Sequence, residues 1–145
     1  MLPVLGLLSC DDDAKPDPEQ GGCGIVLNLV GMVSPWQPNV ETKGVDMPWQ
    51  ESIFLWGDGT FVKHYVKEGV EENAKGTYTY VTQDEIDYVE LTFNDPKSPL
   101  VEACGAEPGK VLIKIDSATR FTSGAWTPCD GPSLIYEKKV ANCED

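Results

Sequence analysis

Leu55-Trp56-Gly57-Asp58-Gly59-Thr60-Phe61 carries the strongest local signal in this 145-residue chain. Asp-Gly between runs rich in β-branched and aromatic residues supplies the positive φ that a tight hairpin needs. Two registers compete for it. A two-residue turn sets Leu55 opposite Val62, whereas a three-residue loop with a glycine bulge sets Leu55 opposite Phe61 on the same face. We expect the bulged form.

Working outward, short runs rich in Val, Ile, Thr, Tyr and Phe recur between turn signals, while helical periodicity is hard to find. The pattern predicts strands at 25–33, 51–57, 60–66, 75–82, 86–94, 110–116, 119–126 and 133–140. Around the turn Thr82-Gln83-Asp84-Glu85, Tyr78 and Tyr80 share one face, and Val89, Leu91 and Phe93 share another with Asp87. Asp116-Ser117-Ala118-Thr119 closes a third hairpin, with Val111, Ile113 and Ile115 on one side and Leu112 alone on the other. A linear succession of hairpins without a crossover-length helix predicts an all-β fold, an eight-stranded antiparallel up-and-down barrel. A β-sandwich is the alternative.

The amino terminus reads as an address. Residues 1–9 are apolar but too short for a transmembrane helix, which takes roughly 20 residues, and Cys10-Asp11-Asp12-Asp13 follows abruptly. Leu7-Leu8-Ser9-Cys10 resembles the lipobox of bacterial lipoproteins. The resemblance implies a signal peptide remnant at 1–9, cleavage before Cys10, and diacylglycerol on its sulfur. Two or three acyl chains, palmitate among them, anchor far more firmly than one. Residues 10–22, rich in Pro, Gly and acid, form an extended tether, and the barrel domain spans 23–145. Acid just after the lipidated cysteine resembles a surface-export signal of some Gram-negative bacteria, whereas Asp beside it resembles the enteric signal for inner-membrane retention; we expect an outward-facing outer-membrane lipoprotein of a Gram-negative bacterium. A formal net charge of -13 argues against a nucleic-acid partner.

Setting Cys10 aside leaves Cys23, Cys104, Cys129 and Cys143, an even number in a chain that reads as exported. A third hairpin centred near residue 118 sets residue 110 opposite about 126 and brings Cys104 toward Cys129. By elimination Cys23 pairs with Cys143. Two other connectivities stay open on the sequence alone.

The chain resembles small bacterial lipocalin-like lipoproteins of the calycin type. The motifs are Leu55 through Phe61, then Lys75-Gly76-Thr77-Tyr78-Thr79-Tyr80, then Cys129-Asp130-Gly131-Pro132 with Leu134 and Tyr136. That resemblance implies a small barrel holding an apolar or mixed-polarity ligand at its mouth or inside. Trp36, Trp49, Trp56, Phe61, Tyr65, Tyr78 and Tyr80 are the candidate ligand contacts, and the loop carrying Trp36 and Trp49 is placed to cap a mouth. The competing reading is that these rings are packing. Two functions follow: a lipid-anchored binding module, or a structural or inhibitor-like surface lipoprotein with a filled barrel and an unknown protein partner.

Catalysis, metals and cofactors find no footing in the sequence, and no enzyme is expected. Glu68, Glu71 and Glu72, and Asp84, Glu85 and Asp87, fit no calcium-loop spacing and read as solvated turns. His64 has no visible nucleophile to serve and reads as a half-exposed strand residue. Lys110, Lys114, Lys138 and Lys139 read as solubilising or edge-protecting positions.

Overall fold

The computed structural model describes residues 24–34, 36–37, 39–101, 109–123 and 133–140. Its strands are β1 (Gly24–Val33), β2 (Glu41–Lys43), β3 (Gln50–Trp56), β4 (Thr60–Lys67), β5 (Val70–Gln83), β6 (Ile86–Phe93), β7 (Lys110–Ile115), β8 (Arg120–Ser123) and β9 (Ser133–Val140). The signal remnant, the Cys10 anchor and the tether expected at the amino terminus lie outside the described residues, as do Cys23, Cys104, Cys129 and Cys143.

The hairpin at Trp56–Thr60 takes the bulged register, with Leu55 opposite Phe61. Gly59 sits at φ 92° and its N–H donates to the Trp56 carbonyl at 3.1 Å. Asp58 Oδ1 accepts from the Thr60 N–H at 3.0 Å and from its hydroxyl at 2.6 Å, fixing the loop's exit. From this hairpin the sheet grows by antiparallel neighbours in the order β1-β3-β4-β5-β6-β7-β8-β9, and β9 pairs back with β1. The result is a closed eight-stranded up-and-down barrel, which leaves no edge along its seam.

All eight expected strands are present, with two differences. The three-residue β2 lies beside the second half of β1, pairing Gly31 with Lys43 and Val33 with Glu41. It is too short and too polar to announce itself. β5 also begins five residues before its expected start at 75. Glu68 (φ 53°) and Gly69 (φ 80°) make a two-residue turn between Lys67 and Val70, and both central residues at positive φ are what a I′ hairpin needs. Glu71 and Glu72 are therefore exposed strand residues rather than turn residues. Their charge masked the strand because this stretch has water on it.

Register also corrects the faces of the second hairpin. Tyr78 lies opposite Leu91 and Tyr80 opposite Val89, so the tyrosines share the inward face with the apolar set. Directly paired residues of antiparallel strands always point the same way. In the third hairpin Ile115 pairs with Phe121 and Ile113 with Ser123, centring the turn at residue 118 as expected.

Inward positions form one continuous core. Leu27, Ile53, Leu55, Phe61, Val89, Leu91 and Ile113 are each at most 1% exposed, and each such burial contributes about 1.5–3 kcal/mol. Phe61 and Phe93 meet edge to face at 5.0 Å across the interior. A bulge at Val30, between the Leu29–Tyr136 and Gly31–Ile135 pairs, shifts the alternation of β1 by one. Leu27 and Leu29 point inward before it and Met32 after it, opposite Leu134.

The two ends differ. The hairpin end carries the tight loops after β3, β5 and β7, together with Gly24 and Val140. The loop end carries the longer connections from β1 to β3, β6 to β7 and β8 to β9, plus the β4–β5 turn.

Candidate functional site

A polar cluster stands inside the barrel near the loop end. Glu51 on β3 and Lys63 on β4 occupy inward positions in line with Ile53 and Leu55, and with Phe61 and Tyr65. Alternation that buries the leucines buries these charges too. Their side chains are 0% and 4% exposed. The Lys63 ammonium lies 3.4 Å from Glu51 Oε2, and the Tyr136 hydroxyl from β9 donates a short hydrogen bond to the same oxygen. The other oxygen, Oε1, accepts the Trp49 indole N–H at 3.1 Å. Both oxygens of this buried carboxylate are thus met by donors, the condition under which a buried charge is tolerated.

Lys63 also reaches out of the sheet. Its ammonium donates to the Leu100 carbonyl at 2.9 Å and lies 6.0 Å from the Phe93 ring centroid. The segment Asp95–Val101 after β6 thus becomes a strap across the loop end, pinned by this bond and by the buried Leu100 side chain. Met47, buried from the β1–β3 connection, joins the same core. Beside the strap an open groove of about 300 Å³ runs between Tyr65, Lys67, Glu68 and Val70 on one side and Pro99 and Leu100 on the other.

The candidate ligand contacts are dispersed. Trp49 and Tyr65 come together at the loop end, ring centroids 5.8 Å apart, above the polar cluster. Trp36 is 76% exposed on the β1–β3 connection, alongside exposed Val40 and Val45. Phe61 is core. Tyr78 and Tyr80 belong to the hairpin end, where their rings meet edge to face at 5.9 Å and the Tyr78 hydroxyl donates to the Trp56 carbonyl at 2.6 Å. Burial raises the Tyr78 hydroxyl above its ordinary 10.0, and the neighbouring Tyr80 and Asp58 push the same way. Trp56 follows Leu55 by one residue and so turns to the outer face, stacked on Phe54 at 6.0 Å. It is nonetheless 2% exposed, and its buried indole N–H has no hydrogen-bond partner among the described residues.

His64 lies on the outer face and bonds Asn73 Oδ1 through Nδ1 at 2.7 Å, next to the Ser52–Asn28 pair. Neither Glu51 nor Lys63 was singled out from the sequence, although each interrupts an apolar alternation at an inward position. Among the described residues no three His, Cys, Asp or Glu side chains gather in a metal-binding arrangement.

Compared with known protein families, curated proteins and solved structures, the chain matches none.

Proposed function

We propose that this chain is a lipid-anchored, extracytoplasmic lipocalin-like barrel that acts through its loop end, with its interior given over to its own core. The observation that carries the reading is the packing of the inward face. Leu27, Phe61 and Val89 at 0% exposure, with Leu91 opposite Tyr78, fill the space where a lipocalin-like barrel would hold a ligand. A surface lipoprotein meeting a protein partner uses what that leaves outside: Trp36, Val40 and Val45 on the β1–β3 connection, exposed in a region that also carries the strap. The acyl anchor on Cys10 supplies the location, outward on the outer membrane. Catalysis and cofactors have no part in the proposal.

Two measurements test it. Titrating the soluble domain with a fluorescent alkyl-chain probe is expected to give no saturable one-to-one binding and no quenching of tryptophan emission. Stoichiometric binding that quenches tryptophan would return the barrel to the binding-module reading. Growth with a labelled fatty acid is expected to label the full chain but not its Cys10→Ala variant, and equal labelling of both would remove the anchor.

A further inference from the structure

We propose that the overhanging first part of β5 is an open sheet edge that binds an extended, basic peptide segment of another protein as an added antiparallel strand beside the strap. The proposal deepens the loop-end reading above and rests on it for one thing, that a protein partner exists.

β5 outruns one of its neighbours. β4 flanks it from Val70 to Thr77, but β6 covers its other side only from Gly76, which lies opposite Phe93. One further bond, from the Asn94 N–H to the Lys75 carbonyl at 2.9 Å, ends that ladder before the chain leaves into the strap. Among the described residues, 70–74 therefore have a strand on one side only. Hydrogen-bond parity identifies the groups this leaves over. Lys67 and Val70 flank a two-residue turn and so exchange both of their bonds, and every second residue of β5 from Val70 onward turns its N–H and C=O toward β4. Tyr78 is in that series, and its N–H donates to the Gly59 carbonyl at 2.9 Å on the β4 side. Lys75 is in the other series and accepts from Asn94 on the β6 side. Glu71 and Asn73 belong with Lys75. Their N–H and C=O groups point off the edge, and among the described residues none of these four has a hydrogen-bond partner. Both residues are exposed.

Such an edge is a template for strand addition, in which main-chain bonds supply affinity and alternate side chains supply selectivity. This site has both parts. An added strand sends every second side chain inward, toward the groove of about 300 Å³ between Tyr65 and Val70 on the hairpin and Pro99 and Leu100 on the strap. Those walls suit an apolar side chain. Charge selects the rest of the segment. Glu68, Glu71 and Glu72 are exposed along the edge, and Lys67 is the one cation in residues 66–74. Opposite charges across a strand pair stabilise it, whereas like charges directly opposite do not. A second copy of the chain is therefore excluded by charge: the antiparallel register that uses all four free groups sets Glu72 opposite its twin, in chains of formal charge -13. A segment alternating Lys or Arg with apolar residues meets the edge, the groove and the carboxylates together.

The test titrates the purified full chain into a short fluorescent peptide alternating Lys and Val, blocked at both ends, and follows anisotropy. Saturable one-to-one binding is expected, and the same peptide with Glu in place of Lys is expected not to bind. In the antiparallel pairing the peptide's Lys residues lie opposite Glu71 and Asn73, so N-methylation at Lys removes the donors that face the edge and should weaken binding about tenfold. N-methylation at Val alters nitrogens that face away, and affinity should be retained. On the protein, Glu71→Pro removes one free donor at an edge position where proline breaks no ladder bond, and should cost about tenfold. Glu71→Gln keeps the donor, loses one charge and should cost about threefold. Equal affinity for the two methylated peptides, or no saturable binding of the parent peptide, overturns the edge site. Dimers of the full chain that dissociate on Glu71→Pro overturn it in favour of a second copy. The alkyl-probe titration above decides the loop-end reading separately: probe uptake with tryptophan quenching removes that reading, while the peptide series decides the edge.

Discussion

Replacing Lys63 by methionine isolates the energetic role of the buried cluster, because methionine keeps most of the side-chain stem and removes the charge. At 3.4 Å from Glu51 Oε2, with an effective dielectric of about 20, the Coulomb attraction is about 5 kcal/mol, largely offset by desolvation of both ions. The net worth of the pair is small, but the cost of breaking it is not: among the described residues, a carboxylate with a fully buried side chain keeps only Tyr136 and Trp49 as donors. The Leu100 carbonyl loses its ammonium partner as well. Removing one member of a buried pair costs about 3–5 kcal/mol, which at a urea slope near 2 kcal/mol per molar lowers the unfolding midpoint by about 2 M. Adding Glu51→Leu and Tyr136→Phe to Lys63→Met removes the stranded carboxylate and the hydroxyl that bonded it, leaving only the Leu100 carbonyl and the Trp49 indole N–H without these partners, and we expect this triple variant to regain part of the loss. Urea unfolding followed by tryptophan emission measures all of these species. A Lys63→Met cost below about 1 kcal/mol, or a triple variant no better than the single, refutes the assignment of the cluster as a coupled buried unit.

Three further outcomes are expected. Because burial, Tyr80 and Asp58 raise Tyr78 above 10.0, its neutral form is favoured by folding. This contribution to stability holds below pH 10 and is lost as pH rises through the folded value. Stability of Tyr78→Phe should therefore fall less steeply in that alkaline window, and identical slopes would discard the assignment. At Gly76 an added Cβ would sit 2.0 Å from the Thr92 carbonyl oxygen and 2.6 Å from the Phe61 ring, so Gly76→Val should lower the melting temperature far more than Gly59→Ala, whose open site costs only the strain of a φ of 92°. Asp84 and Glu85 both hold positive φ in the β5–β6 turn, and replacing them with Asn-Gly should stabilise the fold by about 1 kcal/mol. No gain in the thermal midpoint would mean the turn is not I′-like in solution.

The barrel was legible because hairpin chemistry is local. Asp58-Gly59 fixed a register that the alternation of Leu55 and Phe61 then had to obey, and the turn centre at residue 118 followed from Asp116 through Thr119 in the same way. What stayed hidden depends on non-local partners. The first five residues of β5 read as charge because their neighbours on β4 hold the strand in place without help from hydrophobicity. The shared face of Tyr78 and Leu91 needed the pairing itself. The candidate aromatics share residue type and an early position in the chain, yet Trp49 directly precedes β3 and Trp56 ends it, so they stand at opposite ends of the barrel wall, one facing inward and the other outward. Seven residues of a strand are enough to undo a cluster drawn in sequence.

Glu51 and Lys63 show how parity reveals what residue type conceals. Each stands two residues from a buried apolar side chain on its own strand, so each must enter the core if the register holds. A one-residue slip of β3 against its neighbours would turn Glu51 outward and Gln50 inward, stranding Lys63 and the Tyr136 hydroxyl together. An apolar pair at these positions would resist such a slip only through packing. The cluster adds a penalty specific to the wrong pairing, and it spans β3, β4 and β9 together with the strap. It lies near the end where, apart from the two-residue β4–β5 turn, the connections are long and constrain register least, whereas every hairpin at the other end is tight. Charge is therefore buried where turn geometry is weakest, which is the physical reason to expect the Lys63→Met variant to loosen the loop end before the hairpin end.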